Sequence, residues 1–124
     1  MKNNVPETLA CRLRTYLTTQ CTTLTYQEAT KGLLLSPPNT IHQITQALEQ
    51  LMAEDQAAGH PLIAAMVISN RRNGLPAQGF FDCAASLGRF KSDGTELEAK
   101  TFHQLELNAA LKHASRMRLF VSMI

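Results

Sequence analysis

The spacing of apolar and polar residues predicts a mostly helical chain with one short apolar run of strand length. Near the N-terminus Val5, Leu9 and Leu13 recur at helical spacing, and they predict a first helix over residues 5–18. Asn4 is a suitable cap for this helix. The polar, β-branched stretch that follows predicts a connection and not a further helical turn.

A sharp start signal then predicts a second helix. Thr25 can accept a hydrogen bond from the backbone of Glu28, and the Glu28 side chain can accept one from the backbone of Thr25. Gly32 predicts the end of this helix after two turns. The sequence Ser-Pro-Pro-Asn at 36–39 cannot lie inside a helix and predicts a turn.

The most regular pattern in the chain predicts a long helix from Thr40 to Ala58. Its apolar face consists of Ile41, Ile44, Ala47, Leu48, Leu51, Met52 and Ala58. Its polar face consists of His42, Gln43, Gln46, Glu49, Gln50 and Glu54. A short helix, a turn and a longer helix predict a helix-turn-helix unit, with a turn longer than the typical length of about three or four residues.

An apolar run, Leu62–Ile68, is bounded by turn signals and predicts a strand buried on both faces. Asn73 and Gly74 form a preferred two-residue hairpin turn, since both positions favour positive φ. The segment 75–77 then predicts a short return strand, which Pro76 confines to a sheet edge. With the preceding helices, this hairpin predicts an α+β, winged-helix-like fold in which a β-hairpin forms the wing.

The last third of the chain predicts two more helices. Phe80 to Leu87 have helical spacing with Gly88 as a stop. A final helix over 96–114 has an apolar face of Phe102, Leu105, Leu107, Ala109, Leu111 and Ala114. The tail, 117–124, alternates weakly, which suits a final strand or a segment that docks on the first helix or on a partner.

Length and composition suit one ordinary globular domain over 1–124, whose core we expect at 24–88. The formal charge of +2 is too small to indicate nucleic acid by itself, so binding would require a local basic patch. No apolar stretch reaches the roughly 18 residues of a membrane span, and the N-terminus has no secretory signal. We therefore expect a cytoplasmic protein with reduced thiols and no membrane partner.

The polar face of the long helix offers the first candidate nucleic-acid-binding residues, which are Asn39, Thr40, His42, Gln43 and Gln46. Asn and Gln side chains can bond adenine edges, and a helix N-terminus favours phosphate. Against this, Glu49, Glu54 and Asp55 follow on the same face and would repel phosphate. The alternative interpretation is a solvated face on a structural helix.

Arg71 and Arg72, at the predicted hairpin tip, give the stronger electrostatic signal. Two adjacent guanidiniums flanked by Asn70 and Asn73 could contact a DNA backbone or reach a minor groove. The alternative is that they are ordinary solvated loop residues.

The sequence shows no catalytic, cofactor or metal-binding constellation. Cys83 lies in an apolar run, where a cysteine is more often a small buried hydrophobe than a nucleophile. The four histidines have no spacing typical of zinc ligands. We expect a non-catalytic protein.

Two stretches resemble the winged-helix domain of the O6-alkylguanine-DNA alkyltransferases and alkyltransferase-like proteins. The segment Leu24–Ala29 is similar to the Thr/Ser-Tyr-Gly-x-(Ile/Leu)-Ala opening of that domain. Met66–Ser69, with Asn73–Leu75 and Gly79-Phe80, is similar to its Arg-Val-Val-x-Ser…Gly-x-Leu-Gly-Gly-Tyr stretch. The resemblance implies a winged-helix scaffold on DNA, with Tyr26 as a nucleic-acid-binding residue carried over from the family.

The chain departs from that family where the chemistry occurs. The Pro-Cys-His-Arg acceptor is replaced by residues 63–66, Ile-Ala-Ala-Met, so transfer of an alkyl group to cysteine is excluded. The arginine that the family inserts into the base stack has no counterpart at 39–44. The resemblance thus implies DNA recognition without the enzyme.

Two hypotheses follow from the sequence. The first is a winged-helix-like protein that binds DNA for regulation or for recognition of altered DNA. The second is an interaction or dimerisation module on the same scaffold, which would use the tail from Leu119 to Ile124 and the acidic end of the long helix.

Overall fold

The computed structural model describes residues 8–70, 74–91 and 95–123. Over these ranges the chain is mostly helical. The elements in chain order are α1 (Leu9–Thr18), β1 (Leu24–Thr25), α2 (Tyr26–Gly32), α3 (Thr40–Ala58), a 3₁₀-helix (Ile63–Met66), β2 (Val67–Ile68), α4 (Gln78–Ser86) and α5 (Glu96–Met123).

Side-chain caps set where the first two helices begin. The hydroxyl of Thr8 accepts a hydrogen bond from the backbone nitrogen of Cys11 at 3.1 Å, so α1 begins at Leu9. The predicted start at residue 5 and the predicted cap, Asn4, lie outside the described residues. At α2 the predicted capping box of Thr25 and Glu28 is confirmed, with its two bonds at 3.1 and 2.8 Å.

Gly32 ends α2 as predicted, and its small size has a packing reason. A Cβ at this position would collide with the ring of Tyr16 on α1. The guanidinium of Arg12 also donates to the carbonyl of Leu33 at 2.8 Å, which satisfies a carbonyl at the end of α2.

The core lies where α1, α3 and α5 surround the 3₁₀-helix. Its largest fully buried apolar side chains are Leu13, Leu17, Ile44, Leu51, Met52, Leu62, Met66 and Val67. The apolar face predicted for α3 is buried from Ile44 to Met52, but its ends are not, because Ile41 and Ala58 are exposed.

The apolar run at 62–68 was predicted as one strand, and this prediction is wrong in conformation but right in burial. Residues 62–67 are buried, yet 63–66 form a 3₁₀-helix that leads into the two-residue β2. Side chains satisfy part of the backbone that a sheet would have paired. Glu106 accepts from the nitrogen of Leu62 at 3.1 Å, and Asp55 accepts from that of Ile63 at 3.1 Å.

β2 pairs with β1 in parallel, with Leu24 opposite Val67 and Thr25 opposite Ile68. The turn after β2 is closed by a hydrogen bond from the nitrogen of Ser69 to the carbonyl of Leu75 at 2.8 Å. The return strand predicted at 75–77 is wrong, because these residues take no strand conformation and Pro76 is buried. The predicted hairpin tip at 71–73 lies outside the described residues.

The predicted helices after the turn are present, and the last is longer than expected. α4 ends just before Gly88, which has a positive φ of 80°. α5 continues through the tail to Met123, so the tail is helical and not a strand. Leu105 was assigned to the buried face of this helix, but it is 65% exposed, and His103 is buried instead.

Arg118 fastens the C-terminal part of α5 to the end of α1. Its guanidinium donates to the carbonyls of Thr18 and Gln20, both at 2.8 Å. These carbonyls lie where α1 has run out of helical partners, and a cation there also complements the helix dipole. The tail therefore docks on the first helix, which was one of the predicted outcomes. No helix in the part of the chain that the structure describes is long and apolar enough to cross a bilayer.

We expect Arg118→Met to lower the free energy of unfolding by about 1.5–3 kcal/mol, because two carbonyls lose a charged donor. Urea unfolding followed by circular dichroism measures the effect. The control is Lys100→Met, an exposed cation on the same helix, which should change stability by about 0.5 kcal/mol or less. Equal effects of the two changes would show that Arg118 does not anchor α5.

Candidate nucleic-acid interface

The N-terminal end of α3 presents most of its predicted contact residues to solvent. Asn39 has a left-handed backbone with φ of 64° and makes no side-chain cap, and His42 and Gln46 are exposed. Thr40 is half-buried at the first position of the helix. Ile41, predicted to be in the core, is 42% exposed beside them.

Gln43 differs from its neighbours because its amide is used inside the protein. The amide nitrogen lies 3.1 Å from the carbonyl of Pro38 and 3.3 Å from that of Ser36. A side chain fixed in this way holds the turn before α3 and sets how the helix end is presented.

Tyr26 also has a structural partner. Its hydroxyl accepts a hydrogen bond from the backbone nitrogen of Ala77 at 3.0 Å, which ties the start of α2 to the segment before α4. Its ring borders a small apolar cavity of about 90 Å³, together with Thr45, Glu49 and Met52. No local pattern in the sequence indicated this bond across the fold.

An open cleft of about 340 Å³ brings three elements together. It is lined by Thr25, Tyr26 and Gln27 at the start of α2, by Ile41 of α3, and by Ser69 and Asn70 after β2. The exposed end of α3 and the start of the basic turn therefore border one cleft. Arg71 and Arg72 come next in the sequence but lie outside the described residues.

One arginine forms salt bridges with two of the three acidic residues that were assigned to the polar face of α3. The guanidinium of Arg14 on α1 contacts Asp55 at 2.7 Å and Glu54 at 3.1 Å. Asp55 was predicted on the solvated face, but it is only 1% exposed. Burial alone lowers the pKa of Arg14, and the two carboxylates outweigh it, so that its pKa is raised.

Most arginines of the described part of the chain have structural tasks. Arg12, Arg14 and Arg118 bind the groups already named. Arg89 contacts Gln56, Glu106 and the carbonyl of His60. These four arginines are thus committed to the fold.

Within the described residues, no three or more histidine, cysteine and acidic side chains come together in a group that could hold a metal ion. Burial raises the pKa of Cys83, with Glu49 adding to the effect, so its thiol stays protonated and weakly nucleophilic. His103 lies with its Nε2 2.8 Å from the carbonyl of Ala65. His60 and His113 stack with ring centroids 4.9 Å apart.

Comparison with known proteins gives no relative. No protein-family model, no curated protein and no solved structure matches the chain.

We expect Tyr26→Phe to cost about 1 kcal/mol of stability, because the nitrogen of Ala77 loses its acceptor. Thermal or urea unfolding measures this cost. The control is Tyr16→Phe, which removes the other tyrosine hydroxyl of the chain and should cost less. If Tyr26→Phe left stability unchanged, the hydroxyl would have no structural role at this position.

Folding stability should fall as the pH drops below about 6.5, the ordinary pKa of histidine. Burial lowers the pKa of His103, and burial followed by the proximity of His60 lowers that of His113. The unfolded chain therefore takes up protons before the folded protein does, so stability is full above this pH and is lost below it.

Urea unfolding at several pH values between about 8 and about 5 tests this dependence. His113→Asn should reduce the loss, because one of the two depressed groups is removed. Stability that stayed constant over this range in the wild-type protein would contradict the prediction.

Proposed function

We propose that this protein binds double-stranded DNA through a face formed by the N-terminal end of α3 and the turn after β2. This would be a winged-helix-like use of the scaffold, with α3 as the recognition helix. The observation that carries the proposal is the cleft shared by Ile41, the start of α2 and the segment Ser69–Asn70. A recognition helix and a basic turn must lie side by side to contact one duplex.

The exposed side chains at this end of α3 suit contact with DNA. Asn39, His42 and Gln46 are polar groups that reach outward, and Gln can bond the edge of adenine bidentately. About three or four base-contacting side chains are enough for a recognition helix. Gln43 fits a supporting role, because it fixes the turn from which the helix starts.

The charge distribution along α3 also supports the proposal. The strongest objection from the sequence was the acidic second half of the helix. Arg14 pairs with Glu54 and Asp55, and these residues lie about 12 Å along the helix axis from Gln46. Outside this cluster, the exposed acidic group of the helix is Glu49. Phosphate would therefore meet less repulsion than the sequence suggested.

The resemblance to alkyltransferase-like proteins agrees with DNA binding and adds a restriction. The acceptor motif is replaced by the buried residues 63–66, so binding without covalent chemistry is the activity that remains. Tyr26, the residue carried over from that family, has its hydroxyl bonded to the backbone of Ala77. We assign it to holding the cleft and not to reading bases.

Fluorescence anisotropy with a labelled mixed-sequence duplex tests the proposal. We expect measurable binding near about 50 mM salt that weakens by about tenfold or more at about 200 mM, because phosphate contacts release counterions. Arg71→Ala/Arg72→Ala should reduce the slope of log affinity against log salt by about 2. His42→Ala/Gln46→Ala should weaken binding with a smaller change in that slope.

The matched control is Lys100→Ala/Lys112→Ala, which removes the same charge from exposed positions on α5. It should keep most of the affinity if the binding face is local. Equal losses from the arginine and lysine pairs would indicate attraction by net charge alone. No binding by the wild-type protein at low salt would refute the proposal.

The alternative of an interaction module keeps only part of its support. Arg118 holds the C-terminal part of α5 on α1, and the acidic end of α3 is paired with Arg14, so the fold already uses part of both surfaces. Leu119 stays exposed, and together with two leucines nearer the start of α5 it gives a separate inference.

A further inference from the structure

The outer face of α5 carries three large apolar side chains that the fold leaves in solvent. Leu97, Leu105 and Leu119 are 72%, 65% and 64% exposed. At about 100° per residue they fall within an arc of about 80°, so they lie on one stripe of the helix. The stripe runs for about 33 Å along the axis.

A groove beside the N-terminal part of this stripe adds further apolar side chains to the surface. It has a volume of about 450 Å³ and runs between the end of α4 and the start of α5. Its apolar lining consists of Phe90, Leu97, Phe102 and Leu105. Phe90 and Phe102 stack with ring centroids 4.9 Å apart, which gives the groove a firm floor.

Charge on the same face changes sign from one end to the other. Glu98 lies at the N-terminal end, and Lys112 and Arg116 lie at the C-terminal end, all of them exposed. A second α5 that ran in the opposite direction would place its basic end against the acidic end of the first. A parallel arrangement would place like charges together, which costs energy.

We propose that the protein forms a two-fold dimer in which the α5 helices of two copies pack antiparallel about Asn108. In this register Leu97 meets Leu119 of the second copy, on the apolar groove. Glu98 and Arg116 are 18 residues apart, a whole number of helical turns, so both lie on the same side of the leucine stripe. In an antiparallel pair related by a two-fold axis, this side of one helix faces the same side of the other. Glu98 of one copy therefore lies near Arg116 of the second copy. Both contacts occur twice because the two-fold axis repeats them.

The length of the stripe, about 33 Å with a leucine at each end, favours a second copy over a short peptide. A self-complementary surface needs each feature to meet its own counterpart, and the leucines at the two ends and the opposite charges satisfy this condition. The polar residues between the leucines include Gln104 and Asn108, whose amide groups are hydrogen-bonded to each other at 2.9 Å, so part of their hydrogen bonding is already satisfied when the face is covered. The inference does not depend on DNA binding, because α3 takes no part in this face.

Sedimentation velocity of the full chain from about 1 to 100 µM tests the dimer. We expect a monomer–dimer equilibrium within this range. Leu105→Lys should raise the dissociation constant by about tenfold or more, since it places a charge in the stripe next to Lys112 of the second copy. The matched control is Leu34→Lys, at a leucine that is 86% exposed before α3, and it should leave the equilibrium unchanged.

Disulfide cross-linking tests the direction of the helices, in a Cys11→Ser/Cys21→Ser background that removes the two exposed thiols. Asn108→Cys would lie at the two-fold axis, within the approximately 7 Å between Cα atoms that a disulfide allows. Ser115→Cys, at another exposed position, lies on the same face, but its counterpart would be about 21 Å away along the axis. We expect rapid cross-linking of the first variant and not of the second.

Three results would overturn the inference. The first is a monomer throughout the concentration range, and the second is a dimer that Leu105→Lys does not weaken. The third is equal cross-linking at positions 108 and 115, which would indicate parallel helices. A monomer that still binds DNA through α3 would remove the dimer alone, and a dimer that binds no DNA would remove the proposed function alone.

Discussion

The buried carboxylate of Asp55 is the interaction on which the rest of the structure depends. One oxygen accepts from Arg14 on α1 at 2.7 Å, and the other accepts from the backbone nitrogen of Ile63 at 3.1 Å. A single side chain therefore joins α1, α3 and the start of the 3₁₀-helix. A buried charge that lost its partner would cost about 3–5 kcal/mol, so the three elements are held to one arrangement. That arrangement places the 3₁₀-helix in the core and directs β2 to pair with β1.

Local signals in the sequence were sufficient for the helices and most of their ends. The capping box at Thr25 and the stops at Gly32 and Gly88 depend on neighbours within a few residues, and the structure has all three. Contacts between distant residues were not visible in this way. Position 55 follows Ile44 by 11 residues, about 20° around the helix, so periodicity places it on the buried face. The polar character of the carboxylate assigned Asp55 to solvent instead, and its partners, Arg14 and the nitrogen of Ile63, could not be seen in the local pattern.

The same reason explains the error in the apolar run and the two interpretations left open for the tail. A run of buried residues predicts burial but not conformation, because a 3₁₀-helix and a central strand both exclude water. The choice was made by Asp55, Glu106 and His103, whose side chains bond the backbone of 62–65. The conformation of the tail could not be read from its weak alternation of apolar and polar residues. Its partner, the end of α1, lies about 100 residues away in the sequence. Of the candidate interface, the exposed end of α3 was predictable, but the tasks of Tyr26 and Gln43 were not.

Four arginines of this protein are held by backbone carbonyls or acidic side chains, and this limits which surfaces can carry free positive charge. Arginines that cap helix ends or pair with buried acids cannot also serve as a mobile basic patch, since their donors are already used. A modest net charge of +2 therefore leaves few sources of positive potential, and these are the exposed lysines, the exposed Arg116 and the pair at 71–72. The proposed attraction to DNA would then rest on Arg71 and Arg72, which follow the cleft residues Ser69 and Asn70 in the sequence. The leucine face of α5 uses different residues and a different interaction, since none of the residues that line its groove also lines the cleft at the end of α3.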